Sequence, residues 1–593
     1  MTLDYDKELC LVILLLLFVS PLCTRFSTRV TASPNQTYYV APSGDDANPG
    51  TLDQPWSTIH HSADTLVAGE TVCIRNGVYR EQVLTTRSGD PVDGYIVFSA
   101  YPGEKPVIDG TDVTTGNNGF IINHDYIKLV GLEICNWPDD GILMCAAGYT
   151  EVQDCEVHDV GGGIGAADGT HDFVFERVLA HHFTLYGFDA SPSDGADCYN
   201  GVFSNCTAYT GRDPDQNVDG FALGHGKQHG FMLSRCVAYN VYDGFDMSAY
   251  NVTLSSCSAH DCWNTGYKLW ADNITLVNCL SYHNDDTNMY LAWDGKPGTS
   301  TLRNCHFVDG GTFNVWVENP NDGLHMYNCI LAGGDNLGLA FEQVGVTNYR
   351  GDYNVFHNDN AERVIGVGYQ DEFSLSQIAA GDWATYSGQD QHSLVSYNAS
   401  QLFNNLANWD LHLVEGSIAI DAGTSQDALL VDCDGVSRPQ GKGYDIGAYE
   451  YSAEAPPATK ISTTISCSTS LSEVAIDSSI TVKGSIIPAV SGETVKLTYT
   501  KPDASTLNRT VTTAANGSYS DSYRADAVGP CSVSASWEGD STHYGASSLS
   551  ITFTVREKPF IETPLGLITL YGGIVAIMIV TVFIVLKKRE KTR

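Results

Sequence analysis

The chain has 593 residues, more than one hydrophobic core organises, so several domains or an elongated repeat are expected. Charged residues make up only 17% against 43% hydrophobic and 10% aromatic, which excludes a disordered chain, and the 57 glycines are not periodic in threes, which excludes a collagen-like one. Lys and Arg total 32 against 70 Asp and Glu, for a net charge of −38. So acidic a surface repels phosphate backbones, which argues against a nucleic-acid partner and fits a secreted or surface-exposed protein, or one that uses carboxylates to hold cations.

In chain order, Leu9 to Val19 is an uncharged apolar run with Lys7 before it and Thr31, Ala32 and Ser33 after it, which reads as a signal peptide over 1–32. Ser57 to Val67 places Ile59, Ala63, Leu66 and Val67 on one helical face, with Ser57 as N-cap and Gly69 as stop, a helix suited to capping the open end of a repeat. Cysteines then recur at 135, 155, 206, 236, 257, 279, 305 and 329, each with a large apolar residue three positions earlier, and Val178 stands in where one is absent. Steps of that size are the period of a solenoid, and alternating segments such as Val252-Thr253-Leu254 and Ile274-Thr275-Leu276 make its repeats strands. A parallel β-helix over 33–451 is expected, with the cysteines as small ladder residues rather than metal ligands or disulfides.

A second pattern, x-Gly-aromatic-x-apolar, appears as Tyr186-Gly187-Phe188-Asp189-Ala190, Asp219-Gly220-Phe221-Ala222-Leu223, Asp243-Gly244-Phe245-Asp246-Met247 and Thr265-Gly266-Tyr267-Lys268-Leu269. Period-two alternation points the aromatic and the last residue inward and the fourth outward. Stacking places Asp219 beside Asp243 and Asp246 beside Lys268. Such carboxylates could be structural, could serve as the acid/base pair of a glycoside hydrolase, with Asp243 and Asp246 in those roles, or could hold a hard cation such as Ca²⁺. His181-His182, His158, His260 and His283 read as solvated turn residues.

The acids around Asp421, Asp432, Asp434 and Asp445 read as a structural turn network closing the solenoid, and 452–459 as a linker. Short alternating runs over 460–556, such as Thr494-Val495-Lys496-Leu497, predict an Ig-like β-sandwich. Its two cysteines, Cys467 and Cys531, are expected to pair as a disulfide in an oxidising setting. Leu565 to Leu586 carries no charge and precedes Lys587, Lys588, Arg589, Lys591 and Arg593, which predicts a transmembrane helix over 565–586, a cytoplasmic tail over 587–593 and a single-pass cell-surface protein with an extracellular ectodomain. Seven Asn-x-Ser/Thr sequons would then face the outside.

The opening Tyr38-Tyr39-Val40-Ala41-Pro42-Ser43-Gly44, the stretch Gly77-Val78-Tyr79-Arg80-Glu81 and the Asp-Gly-Phe, Asp-Gly-Phe-Asp and Gly-Tyr-Lys-Leu series resemble polysaccharide lyase family 9, the β-helical pectate lyases. The resemblance implies a right-handed parallel β-helix and calcium-dependent β-elimination of a pectate-like uronate polymer. It also implies Asp219, Asp243 and Asp246 as calcium ligands and Lys268 as the catalytic base. Tyr242 stands where the family carries a further aspartate. A non-catalytic carbohydrate-binding or envelope protein on the same scaffold is the alternative of a different class.

Overall fold

The structure, a computed structural model, describes residues 36–558 apart from 192–195, 213–215, 225–226, 293–297, 320–322, 335–336, 343–345, 359–361, 369, 427–428, 453–462, 472, 488, 504, 538, 541–542, 544 and 549–550. The signal peptide expected over 1–32 and the segment Leu565 to Leu586 lie outside the described residues. Among the described residues no helix is long and apolar enough to cross a membrane. The expected fold class is corrected accordingly: what is described is parallel β-helix coils and a β-sandwich, with only short helices and no transmembrane helix. The described chain divides into two compact units, one running to Phe231 and including Ala238–Ala249, the other comprising Met232–Val237 and the chain from Tyr250 on.

In the first unit, Ile59–Thr65 forms the capping helix, with Thr58 rather than Ser57 as N-cap, its side chain accepting from the His61 amide. Ile59, Ser62 and Ala63 are buried, whereas Val67 is exposed, so the apolar face ends with the helix. One strand per coil then stacks in parallel register, so that Phe98 meets Leu129, Leu129 meets Val152, Val152 meets Phe175 and Phe175 meets Phe203. After each strand the chain turns through a left-handed residue: Gly131, Asp154, Arg177 and Asn205. That conformation suits Gly, Asn and Asp, and Arg177, which pairs with Asp154 and Glu176, adopts it as well. The residue after the corner points inward and is buried: Leu132, Cys155, Val178, Cys206.

This register corrects the expected cysteine ladder at its first member. Because Leu129 aligns with Val152, the corner residue equivalent to Cys155 is Leu132. Cys135 lies three residues further on, at the end of Glu133–Cys135, and aligns with Asp109 and His158. It satisfies the Leu-x-x-Cys spacing by coincidence.

In the second unit the ladder holds: Leu233, Leu254, Leu276, Leu302 and Met326 stack in turn. Left-handed corners at Arg235, Ser256, Asn278, Asn304 and Asn328 precede Cys236, Cys257, Cys279, Cys305 and Cys329, all buried and none in a disulfide. The thiols of Cys257, Cys279 and Cys305 donate to the carbonyl oxygens of Leu233, Leu254 and Leu276 at 3.5, 3.4 and 3.5 Å. Cysteine is thus small enough for the corner and adds a weak tie to the preceding coil, which valine would lack. Towards the end of the coils Arg438 and Glu450 form a fully buried ion pair at 3.0 Å. Asp432 and Asp445 accept backbone amides of Asp434, Val436, Glu450, Asp421 and Tyr451, a turn network as expected.

Beyond the linker, Ser479–Ile487 pairs antiparallel with Ser518–Arg524, and Thr494–Thr500 pairs antiparallel with both Thr506–Thr512 and Gly529–Trp537. Ile480, Val482, Val495, Leu497, Tyr523 and Val533 fill the core between the two sheets. The expected Cys467–Cys531 disulfide is not formed, and both thiols are free. Ser548 and Tyr519 lie beside Cys467, whose thiol burial pushes up to about 11, while Asp526 and Lys501 lie near Cys531. The two occupy different surroundings in the sandwich, so their separation in sequence was no guide to pairing.

Candidate active site

The first unit carries a cavity of about 330 Å³ lined by Tyr186, Asp189, Asn217, Asp219 and Asp246 among others. Three stacked strand segments build it. Tyr186 aligns with Asp219, and Asp189, Ala222 and Asp246 succeed one another in a single outward-facing row. Register is fixed from inside by Phe188, Phe221 and Phe245, whose buried rings stack at 4.7 and 4.8 Å with interplanar angles of 10° and 9°. The glycine of the pattern is required by close stacking. A Cβ on Gly187 would stand 2.7 Å from the Gly220 carbonyl oxygen, and one on Gly220 would stand 2.7 Å from that of Gly244.

The structure brings the three expected aspartates onto neighbouring coils. Asp219 is buried and its Oδ2 accepts from Asn217 Nδ2 at 2.9 Å. Asp243 accepts the Gly220 amide through its main-chain carbonyl at 2.9 Å. Its side chain is fully buried rather than set in a surface turn, so it is ill placed as one half of a hydrolase pair, which must touch sugar. Asp246 is half-buried on the cavity wall. Tyr242 donates its amide to the Val218 carbonyl at 2.8 Å.

Asp189 and Asp140 also belong to this region, and neither was singled out from sequence. Asp189 was legible as the fourth residue of its repeat, the position Asp246 occupies in its own. Burial pushes its carboxyl up to about 7, with the Asp140 charge adding to the effect and the Ser191 contacts opposing it. Asp140 accepts the Tyr186 hydroxyl at 2.7 Å and is pushed up to about 6, again by burial first. Burial likewise lifts the Tyr186 hydroxyl far above the ordinary phenol range.

These shifts give stability a pH dependence of definite sign. A carboxyl whose folded value is raised stabilises the fold fully below its unfolded value of about 3.9, and that contribution is lost as pH rises. For Asp189 the loss runs up through about 7. Thermal melts of the cation-free chain should therefore show stability falling across this window, and Asp189→Asn should flatten the fall. An identical profile in the variant would reject the assignment.

Lys268 lies in the second unit, on Thr265–Leu269, half-buried and on the outward face. Its Nζ stands 5.2 Å from the Trp270 ring centroid. It aligns with Tyr290, which aligns with Trp316, and those two rings stack at 4.4 Å.

The carboxylates of Asp219, Asp243 and Asp246 offer oxygen donors only, the chemistry that suits a hard cation such as Ca²⁺. Residues 38–258 match the Pel9A-like right-handed β-helix region, and residues 217–361 match a right-handed β-helix region. Pectate lyase PEL9 of Emericella nidulans is 30% identical over 267 residues, which are 44% of this chain and 59% of that protein. The uncharacterized protein YwoF of Bacillus subtilis is 42% identical over 76 residues, 13% of this chain and 16% of that one. The matched stretch thus spans about three fifths of the length of the pectate lyase. Among solved structures, pectate lyase Pel9A aligns at a TM-score of 0.43 and 15% identity, covering 71% of this chain and 97% of its own. A rhamnogalacturonan lyase aligns at 0.39 and 18%, covering 63% and 91%. Residues 38–258 are thus similar to a Pel9A-like right-handed β-helix region.

Proposed function

We propose that the protein is a polysaccharide lyase that cleaves a uronate polymer of the pectate type by β-elimination, with calcium held by Asp219, Asp243 and Asp246 and with Lys268 as base. The observation that carries this reading is the cavity on which Asp189, Asp219 and Asp246 converge in a chain whose β-helix is Pel9A-like. Carboxylates gathered in a partly buried cavity repel one another and the substrate's own carboxylate unless a cation joins them. Calcium there would draw charge from the uronate carboxylate and so acidify the proton at C5.

The remaining chemistry falls to the chain's own groups. The Lys268 amine, when neutral, takes the C5 proton onto Nζ. The electron pair of the C5–H bond becomes the C4–C5 double bond as the C4–O bond breaks, and the departing glycosidic oxygen takes up a proton to leave as a hydroxyl. Lys268 occupies the outward fourth position of its repeat, the position Asp246 has in its own. The stacked Tyr290 and Trp316 rings in line with it offer flat faces for sugar rings.

The test is incubation of the full chain with polygalacturonate and other uronate polymers in calcium, monitoring ultraviolet absorbance of the unsaturated product. Absorbance should rise with chain cleavage. New reducing ends without absorbance would mean hydrolysis, and binding without cleavage would mean a carbohydrate-binding protein.

A further inference from the structure

A second group of metal-ligating side chains lies elsewhere in the first unit. Glu133, Cys135 and His158 each present one ligand atom, and these atoms lie within 4.8 Å of one another. The parallel register brings them together: Glu133 aligns with Glu156, and Cys135 with His158. Cys135 is the cysteine that the register removes from the inner ladder, so corner packing does not account for a thiol here.

We propose that Glu133, Cys135 and His158 form a binding site for a divalent transition-metal ion of the zinc type. Sulfur, nitrogen and carboxylate oxygen are the donor set zinc takes, and three protein ligands leave a fourth position open. Zinc bonds of about 2.0–2.3 Å in a tetrahedron put ligand atoms about 3.3–3.8 Å apart. The three atoms therefore need to close by no more than about 1 to 1.5 Å.

The surroundings are those of a metal-ligating histidine. His158 Nε2 faces Glu133 Oε1 at 3.3 Å, while Nδ1 lies 2.6 Å from Asp159 Oδ2. A carboxylate on the far nitrogen of a ligating imidazole fixes its tautomer and raises its basicity. Arg212 in turn pairs with Asp159, and the His181 ring stacks on His158 at 4.9 Å with an interplanar angle of 1°, so the ring is held from two sides. Asn136 Nδ2 lies 3.3 Å from Cys135 Sγ. One group competes: the Lys105 ammonium is 2.9 Å from Glu133 and also pairs with Glu156. Its side chain is 55% exposed and free to turn towards solvent when a cation arrives.

Cobalt(II) is the probe, because a thiolate ligand gives it a near-ultraviolet charge-transfer absorption that carboxylate and imidazole alone do not. Titrating the reduced full chain should give that band at one equivalent, and zinc should displace it. Cys135→Ser should remove the band, His158→Gln should weaken cobalt binding at least tenfold, and Lys105→Met, which frees Glu133, should tighten it. Each variant is checked for an unchanged far-ultraviolet circular dichroism spectrum. The absence of a thiolate band in the parent chain, or its persistence in Cys135→Ser, would overturn the proposal. Weaker binding in Lys105→Met would do the same, and that variant deletes no ligand.

Discussion

Lys268→Ala should lower the rate of uronate elimination by about 10²–10⁴-fold, the range over which a positioned general base acts, while calcium and polymer binding stay near those of the parent chain. The expectation rests on geometry and charge. Lys268 is half-buried between buried Tyr267 and Leu269 on the outward face of its strand, so truncating it removes an amine without opening the core. Lys268→Arg should fail almost as badly, because a guanidinium remains charged at any pH the fold survives and cannot accept the C5 proton. An unperturbed lysine titrates near about 10.4, so a base of this kind gives a rate that climbs towards alkaline pH. Loss of polymer binding in parallel with turnover would mean that Lys268 only grips the substrate, and full turnover in Lys268→Ala would remove the lyase reading.

Much of this site was legible because coil stacking is a local rule. An aromatic at the third position of x-Gly-aromatic-x-apolar has to point inward, so Phe221 and Phe245 stack and the fourth-position residues line up outside. The inner ladder was legible for the same reason from Cys155 to Cys329. It misled at Cys135, because Leu132 with a cysteine three residues later matches the spacing, whereas the left-handed corner at Gly131 assigns Leu132 itself to the ladder. Spacing alone does not say which corner a residue comes after. Burial depth was not legible either: the first position of the repeat gives no sign that it is enclosed, yet Asp243 there is fully buried, whereas Asp246 at the outward fourth position is half-buried. Histidines read as solvated turn residues include His158 and His181, which instead belong to strands and stack on each other. The Cys467–Cys531 pairing failed because sequence separation carries no information about where two side chains in a sandwich point.

That difference in burial decides which aspartate tests the calcium site. Asp243→Ala would empty a fully enclosed position and confuse lost folding with lost metal. Asp246→Ala is the cleaner change, because its carboxylate stands on the cavity wall between inward-facing Phe245 and Met247, which keep the strand in place. In the parent chain, calcium at a hundred times its dissociation constant should raise stability by about 2.7 kcal/mol, the linkage expected of one site on the folded state alone. Asp246→Ala should lose most of that increment and, with it, turnover. Chelation should silence the parent chain, and restored calcium should recover it. The readout is the calcium-dependent part of stability rather than its absolute level, so a purely structural role for Asp246 would leave the increment intact. An undiminished increment in Asp246→Ala, or full activity of the parent chain in chelator, would reject calcium at these aspartates.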